Sequence, residues 1–132
     1  MAWRANGIAG EPGAKNPHDA YFFYDETNQL QAVLSGDGRW KLQLPHTYRT
    51  LGDQPRARGG VPAKYEQRKL EQSELYDLQN DVSETTNVAA KNPEIVKQLE
   101  AFVEKAREDL GDSLTNRKGT GVREAGRAEP GA

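Results

Sequence analysis

His46 and the residues that follow it are the side chains of this sequence best suited to chemistry. His46 comes directly after Pro45, at the end of an alternating segment, and functional groups are often carried by loops that begin at strand ends. A general base or ligand at this position would stand beside the hydroxyl of Tyr48 and the guanidinium of Arg49, which binds anionic groups. A histidine with a purely structural role explains the pattern equally well, so both interpretations stay open.

The other candidate groups give weaker signals. His18 lies in an Asn-Pro-His-Asp sequence, where a structural role at a strand edge is favoured over a general base. The carboxylates are scattered without EF-hand or His-x-x-x-His spacing, so no metal site is predicted. Gly59 and Gly60 lack the Lys-Ser/Thr of a phosphate-binding loop. The segment 56–60 has some likeness to RNA-binding Arg-Gly-Gly repeats, but one copy among prolines favours a solvated loop.

Composition excludes several classes of protein. The chain has 132 residues, which fits one domain, and no apolar run approaches the roughly 20 residues of a membrane-spanning helix. Its 18 basic and 20 acidic residues give a net charge of −2, so no general attraction to nucleic acid or to an anionic membrane is expected. The absence of cysteine excludes disulfides, thiol catalysis and cysteine-ligated zinc. No signal peptide is visible.

Three segments predict an antiparallel sheet that would position His46. They are joined by turn sequences, and the second turn, Ser-Gly-Asp-Gly, is typical of a hairpin. In the third segment Trp40, Leu42 and Leu44 alternate with polar residues, which indicates a strand with one buried face. The predicted strands are 20–24, 30–35 and 39–44.

The middle of the chain predicts a loop and one more strand. The segment 45–69 is predominantly basic and contains glycines and prolines, so we expect a long irregular loop there. The composition of 64–72 by itself favours helix. A fourth strand is predicted near 73–78, where it would close onto the hairpin.

A helix over 93–110 follows, with Asn92 predicted as its N-cap and Gly111 as its end. Its apolar residues recur at steps of three and four, which gives one stripe that must be buried. The Trp40 face of the sheet is the expected partner, so the predicted fold class is α+β: a small antiparallel sheet of about three or four strands packed by one amphipathic helix. The remaining segments are an irregular lead-in, 1–19, and a polar, mobile tail, 112–132; the globular unit is 20–111.

The order and spacing of these segments resemble the C-terminal subdomain of type I, arylsulfatase-like sulfatases. No single segment is decisive, but together they cover roughly residues 10–127, nearly the whole chain, and residues 1–8 do not resemble the family. The segments that carry the resemblance are 10–14, 16–22, 30–33, 39–42, 44–51, 75–78, 84–89, 93–95 and 106–112.

The resemblance implies a partner that carries the chemistry. In this family the subdomain packs beside a large α/β catalytic domain, which hydrolyses sulfate esters with a formylglycine and a calcium ion. The formylglycine is made from a Cys/Ser-x-Pro-x-Arg motif, which this sequence lacks. We therefore expect no cofactor in this chain, because calcium and formylglycine would belong to the catalytic domain, and we expect no activity by the chain alone.

The resemblance also implies a place for the candidate site residues. In a complete enzyme His46, Tyr48 and Arg49 would lie near the mouth of the substrate pocket. The sequence departs from the family at Leu34, where members often have arginine, and at Gln43, where they often have histidine. It also reads Asp-Val-Ser-Glu over 81–84 where they tend to have Asp-Pro-Gly-Glu. Polar contacts toward the catalytic domain are expected to be lost at positions 34 and 43.

Three hypotheses stay open at this stage. The chain is a sulfatase fragment that is inert alone, from a truncated gene model or a disrupted gene. Alternatively it is a binding module for sulfated glycans that uses the basic residues between Arg49 and Lys69, or a half that complements a separate catalytic chain. Full-length relatives are usually exported. A free fragment is expected to expose an edge strand and apolar area that invite aggregation, and therefore to be poorly soluble or partly unfolded.

Overall fold

The computed structural model describes residues 16–54 and 59–126. Predictions that concern residues 1–15, the pair Arg56 and Arg58, and residues 127–132 lie outside the described residues. The regular elements are β1 (Ala20–Tyr24), β2 (Leu30–Ser35), β3 (Trp40–Gln43), β4 (Thr47–Thr50), β5 (Glu66–Lys69), β6 (Glu74–Asp77), α1 (Pro93–Leu110), β7 (Gly111–Asp112) and β8 (Arg117–Lys118). Two further short segments, 89–91 and 113–115, form single turns of 3₁₀-helix.

A four-stranded antiparallel sheet, in the order β1-β2-β3-β6, forms the centre of the fold. Its register places Val33, Leu42 and Leu75 in one row across three strands. All three are fully buried, and each buried side chain of this size contributes roughly 1.5–3 kcal/mol. The row packs against α1, so the α+β class predicted from the sequence is confirmed. The buried core consists of Leu30, Val33, Leu42, Leu44, Leu75, Leu99, Val103 and Ala106.

A β-bulge adjusts the first hairpin to this core. Phe23 pairs with Ala32, but the next residue, Tyr24, pairs with Leu30, so Gln31 is the extra residue. Strict alternation would place Leu30 and Val33 on opposite faces of the sheet. The bulge turns both of them toward α1, because the extra residue shifts the alternation by one position.

The helix α1 packs through the stripe that its sequence indicates. Leu99, Val103 and Ala106 are buried, and Trp40 packs against the same cluster. The predicted N-cap at Asn92 is wrong in its chemistry: the residue precedes the helix but accepts no capping bond, and its side chain donates to the carbonyl of Val88 at 3.0 Å. Over the described residues, no helix is both long and apolar enough to cross a membrane.

The expected irregular loop over 45–69 is wrong at both of its ends. Thr47–Thr50 and Glu66–Lys69 form an antiparallel pair, β4–β5, which is separate from the main sheet. The pair is continued by Leu70, whose N–H donates to the carbonyl of His46 at 2.9 Å. Backbone pairing with β4 therefore overrides the helix preference of the residues around β5.

The expectation of a mobile tail from residue 112 is also wrong for the described part of that segment. Gly111–Asp112 and Arg117–Lys118 form a short antiparallel hairpin at the end of α1. Asp112 is fully buried, and Ser113 donates its N–H to the carbonyl of Asn28 at 2.9 Å. A polar composition concealed this packing because the segment is fixed by hydrogen bonds rather than by apolar side chains.

Candidate functional site

An open cleft of about 400 Å³ lies on the face of the main sheet that points away from α1. We call it the outer-face cleft. Its floor is formed by the main sheet. One wall is formed by Tyr48 of β4, by His46, which precedes β4, and by Leu70, which follows β5. The residues that line it are Phe23, Gln31, Ala32, Lys41, Gln43, His46, Tyr48, Leu70, Glu74, Tyr76 and Glu84.

Strand register builds the floor of the cleft. Because side chains alternate between the two faces of a strand, residues that neighbour the core row all point outward. Gln43 pairs with Ala32 on one side and with Glu74 on the other, and Lys41 pairs with Tyr76. The outer face therefore combines apolar, cationic, anionic and amide groups within a few ångströms.

Glu84 ties two of these side chains together. Its Oε1 accepts from Lys41 Nζ at 2.6 Å and its Oε2 accepts from Gln43 Nε2 at 2.9 Å. The side chains of Lys41 and Glu84 are only 19% and 27% exposed. An ion pair at this depth is screened less than one on the open surface, so the network holds the ammonium group at the wall of the cleft.

Hydrogen bonds to the Asp81 side chain hold the turn that carries Glu84. The Asp81 carboxylate accepts from the N–H groups of Thr85 and Thr86, both at 2.8 Å. These bonds hold the pKa of the Asp81 carboxyl below its usual range. Glu84 itself has a φ of +53°, a conformation that costs energy in a residue other than glycine. The turn therefore fixes Glu84 in an unfavourable backbone conformation that places it beside β3.

Tyr76 and Glu74 form the second polar pair of the cleft. The Tyr76 hydroxyl donates to the Glu74 carboxylate. Burial raises the pKa of Tyr76 well above its usual value, and the hydrogen bond to Glu74 and the negative charges of Glu74 and Glu84 raise it further. The phenol therefore stays protonated at physiological pH and acts as a hydrogen-bond donor.

The structure brings two of the three predicted site residues to the cleft. His46 is 8% exposed, and its Nδ1 lies 2.6 Å from the carbonyl oxygen of Leu44. Since a carbonyl only accepts, Nδ1 carries a proton, and Nε2 is the acceptor in the neutral ring. The Tyr48 ring lies beside it, with the two ring centres 5.9 Å apart.

Arg49 and His18 lie elsewhere. Arg49 is on the opposite side of β4 from Tyr48, as alternation requires, and its guanidinium lies over the ring of Tyr65, 4.6 Å from the ring centre. His18 lies next to the β1 edge with its ring 5.6 Å from that of Tyr21. Neither residue lines the outer-face cleft.

Sequence reasoning missed most of the polar groups in the cleft. The alternation of β3 shows that Lys41 and Gln43 point away from the core, and this signal was available. The sequence has no comparable signal for Glu84, which approaches them from a turn more than forty residues away. In the described ranges 16–54 and 59–126, no group of three or more His, Cys, Asp or Glu is placed to hold a metal ion.

Comparison with known proteins gives one result. No match was found to a curated protein or to a solved structure. A model of the family described as the C-terminal region of aryl-sulfatase matches residues 16–126. This range begins just before β1, includes the outer-face cleft and ends after the β7–β8 hairpin. Since it spans most of the 132 residues, the chain belongs to the family of aryl-sulfatase C-terminal regions.

Proposed function

We propose that this chain is the C-terminal lobe of a sulfatase, which supports a catalytic domain and the mouth of its substrate pocket and is inert in ester hydrolysis by itself. The observation that carries the proposal is the outer-face cleft. It is a concave surface on one side of the sheet with a fixed set of polar groups and half-exposed aromatic rings around it. Such surfaces are typical of sites that meet another molecule or domain.

The two sides of the fold differ in the way expected of a lobe that docks through its sheet. Phe23 and Tyr48 at the cleft are 44% and 40% exposed, so covering them would remove apolar area from water. The exposed face of α1 carries instead a series of charged residues of both signs, which is typical of a face in contact with solvent. These residues are Glu94, Lys97, Glu100, Glu104, Lys105 and Glu108.

Two of the departures that the resemblance implies, at positions 34 and 43, fall on the same face. Leu34 pairs with Lys41 and Gln43 pairs with Ala32, so both positions lie on the outer side of the sheet. A docking surface at this face would account for the polar residues that the resemblance implies at both positions in relatives. With leucine and glutamine there instead, this chain would bind a catalytic domain through fewer ionic contacts.

The chemistry of hydrolysis would come from the catalytic domain. A formylglycine needs a cysteine or serine in the Cys/Ser-x-Pro-x-Arg motif, and this sequence has no cysteine and no serine in that context. The described residues also do not provide a cluster that fits calcium. The chain's own groups would instead bind and orient: His46 and Tyr48 line the cleft, and the Tyr76 hydroxyl keeps its proton.

Binding to a catalytic domain tests this proposal. The chain would be titrated by calorimetry into an aryl-sulfatase catalytic domain from which the C-terminal region has been removed. We expect a complex, and we expect Phe23→Glu to weaken it at least about tenfold by placing a charge in the covered apolar surface. The matched control is Leu114→Glu, since Leu114 is similarly exposed, at 40%, and lies outside the cleft. Equal affinities of the two variants would contradict docking through the outer face.

The alternative of a binding module for sulfated glycans is less well supported by the described residues. Arg68 is paired with Glu66 at 2.6 Å, and Lys69 is paired with Glu71 at 3.1 Å. The positive charge of the segment between Arg49 and Lys69 is thus partly neutralised by neighbouring carboxylates. The remaining alternative, a half that complements a separate catalytic chain, uses the same docking surface and gives the same binding result.

A further inference from the structure

The main sheet has two edges, and only one of them is covered among the described residues. At the β6 edge, Leu75 donates its N–H to the Asn87 side chain at 3.1 Å, and its carbonyl accepts from the N–H of Val88 at 2.8 Å. The chain thus returns along β6 and satisfies that edge with its own groups. Proteins usually protect the edges of their sheets, because an uncovered edge pairs readily with a strand of another chain.

The opposite edge, formed by β1, has no paired strand on its outer side among the described residues. The backbone carbonyl of Asp19 accepts from the N–H of Gly36, and the backbone N–H of Asp25 donates to the carbonyl of Gln29. The odd-numbered residues of β1 therefore point their backbone N–H and C=O groups at β2. In an antiparallel ladder the intervening residues then point theirs the other way. The N–H and C=O groups of Ala20 and Phe22 therefore face the open edge. The strand contains only alanine and aromatic residues, with none of the charged residues or prolines that protect an edge.

A groove with an apolar centre and charged residues at its rim runs beside this open edge. It has a volume of about 460 Å³ and lies between β1 and α1, with Phe22 on one side and Phe102, Ala106 and Leu110 on the other. His18, Asp19, Lys105 and Asp109 also line it. A strand that paired with β1 would place every second side chain over this groove. The edge and the groove together match what an added strand needs: backbone partners for affinity and a depression for alternate side chains.

The charges at the ends of β1 decide between two occupants. Asp19 and Asp25 flank the strand. If a second copy paired antiparallel about Phe22, Asp19 of each copy would face Asp25 of the other, and like charges in that position are destabilising. A strand flanked by lysine or arginine would meet both carboxylates favourably. The open edge is also continuous with the outer-face cleft, because Phe23 of β1 lines that cleft.

We propose that the open edge of β1 pairs with an extended strand of the sulfatase catalytic domain, a strand with apolar residues over the groove and a basic residue near its end. This inference rests on the proposed function, because it names the same partner. It goes further in naming the backbone groups of Ala20 and Phe22 as its contacts. Docking through the outer face alone would leave these groups exposed to water.

Amide exchange in the complex tests the pairing directly. In the free chain we expect the N–H groups of Ala20 and Phe22 to exchange fast, whereas those of Tyr21 and Phe23 are protected by β2. On binding the truncated catalytic domain, exchange at Ala20 and Phe22 should slow by about a hundredfold or more. If a complex forms and these two amides stay fast, the pairing is wrong and the proposed function survives. If no complex forms, both proposals fail.

A pair of variants at one position separates backbone pairing from side-chain packing. Phe22→Pro and Phe22→Ala both remove the ring, but only proline removes the outward N–H. Thermal melting of both variants checks that each is folded, and the exchange result on the unmodified chain stands whether or not the proline variant folds. We expect Phe22→Pro to bind the catalytic domain at least about tenfold more weakly than Phe22→Ala. Equal affinities, or protection of the Phe22 amide that rises with the concentration of the free chain, would overturn the proposal.

Discussion

Arg107 and Asp112 form an ion pair across the end of α1, with Arg107 Nε 2.9 Å from Asp112 Oδ2. The Asp112 side chain is fully buried. Its Oδ1 also accepts from the N–H of Leu30 at 3.2 Å and from the N–H of Leu114 at 3.0 Å. One carboxylate thus joins the helix, the first residue of β2 and the turn that follows Asp112, which makes the described residues just after α1 part of the fold.

Replacing this carboxylate should destabilise the whole domain. Asp112→Ala would leave the Arg107 guanidinium and two backbone N–H groups without their acceptor, and the loss of one partner of a buried pair costs about 3–5 kcal/mol. The measurement is the free energy of unfolding from urea denaturation. Glu104→Ala is the matched control, because Glu104 also pairs with Arg107 but is 55% exposed. Its expected cost is below about 1 kcal/mol, and equal losses for both variants would contradict the role of Asp112.

Two glycines with similar positive φ angles should respond differently to alanine. Gly38 has a φ of +75°, at which alanine is strained by about 1 kcal/mol. Gly111 combines a φ of +82° with a ψ of −179°, a conformation that is almost confined to glycine and costs other residues about 1–3 kcal/mol. At Gly111 the added Cβ would also lie 2.7 Å from the nitrogen of Gly119 and 2.8 Å from the carbonyl oxygen of Arg117, whereas nothing lies within 4 Å at Gly38. We expect Gly111→Ala to cost about 3 kcal/mol and Gly38→Ala about 1 kcal/mol in the free energy of unfolding. If Gly111→Ala lost no more stability than Gly38→Ala, the C-terminal hairpin would not pack as described.

The turn that carries Glu84 should make stability sensitive to acid. Because the bonds from Thr85 and Thr86 lower the pKa of Asp81 from its usual 3.8, the unfolded chain takes up the proton at a higher pH than the folded chain. The stability from this group is therefore full above about pH 4 and is lost as the pH falls through the folded-state pKa. We expect the melting temperature of Asp81→Asn to fall less than that of the unmodified chain when the pH drops from about 5 to about 2. Parallel curves for the two proteins would contradict this.

His46 should affect catalysis only in the presence of the catalytic domain. His46→Asn keeps a side-chain N–H that can donate to the carbonyl of Leu44 but removes Nε2, the ring nitrogen that does not contact Leu44. In the complex of this chain with a catalytic domain, we expect the variant to lower kcat/KM by about tenfold, which corresponds to about 1.4 kcal/mol. Lys97→Ala, on the charged face of α1, serves as the control. Unchanged turnover and unchanged KM for His46→Asn would remove His46 from the pocket mouth.

The sequence predicts the main sheet and the helix well because both depend on apolar periodicity. The alternation of Trp40, Leu42 and Leu44 and the stripe that contains Leu99 and Val103 each indicate one buried face, and the structure packs these faces together. The α+β class therefore follows from the sequence alone. The bulge at Gln31 does not, since it becomes visible only in the pairing of β1 with β2.

The rest of the fold and most of the candidate site depend on polar contacts between distant residues. The β4–β5 pair consists of polar residues whose partners are set by backbone hydrogen bonds. Their composition alone therefore favours a loop or a helix. In the same way, Glu84 reaches Lys41 only because the Asp81 turn places it over β3. The neighbouring residues His46 and Tyr48 could be predicted as a pair, but the side of β4 on which Arg49 lies required the structure.

Release of inorganic sulfate from an aryl sulfate ester tests the central claim most directly: this lobe supports a reactive centre that lies on another domain. Three samples would be compared, namely the purified 132-residue chain, a sulfatase catalytic domain without its C-terminal region, and the two together. We predict no release by the chain alone and a higher rate for the mixture than for the catalytic domain alone. Sulfate release by the chain alone, or a mixture no faster than the catalytic domain by itself, would contradict the account.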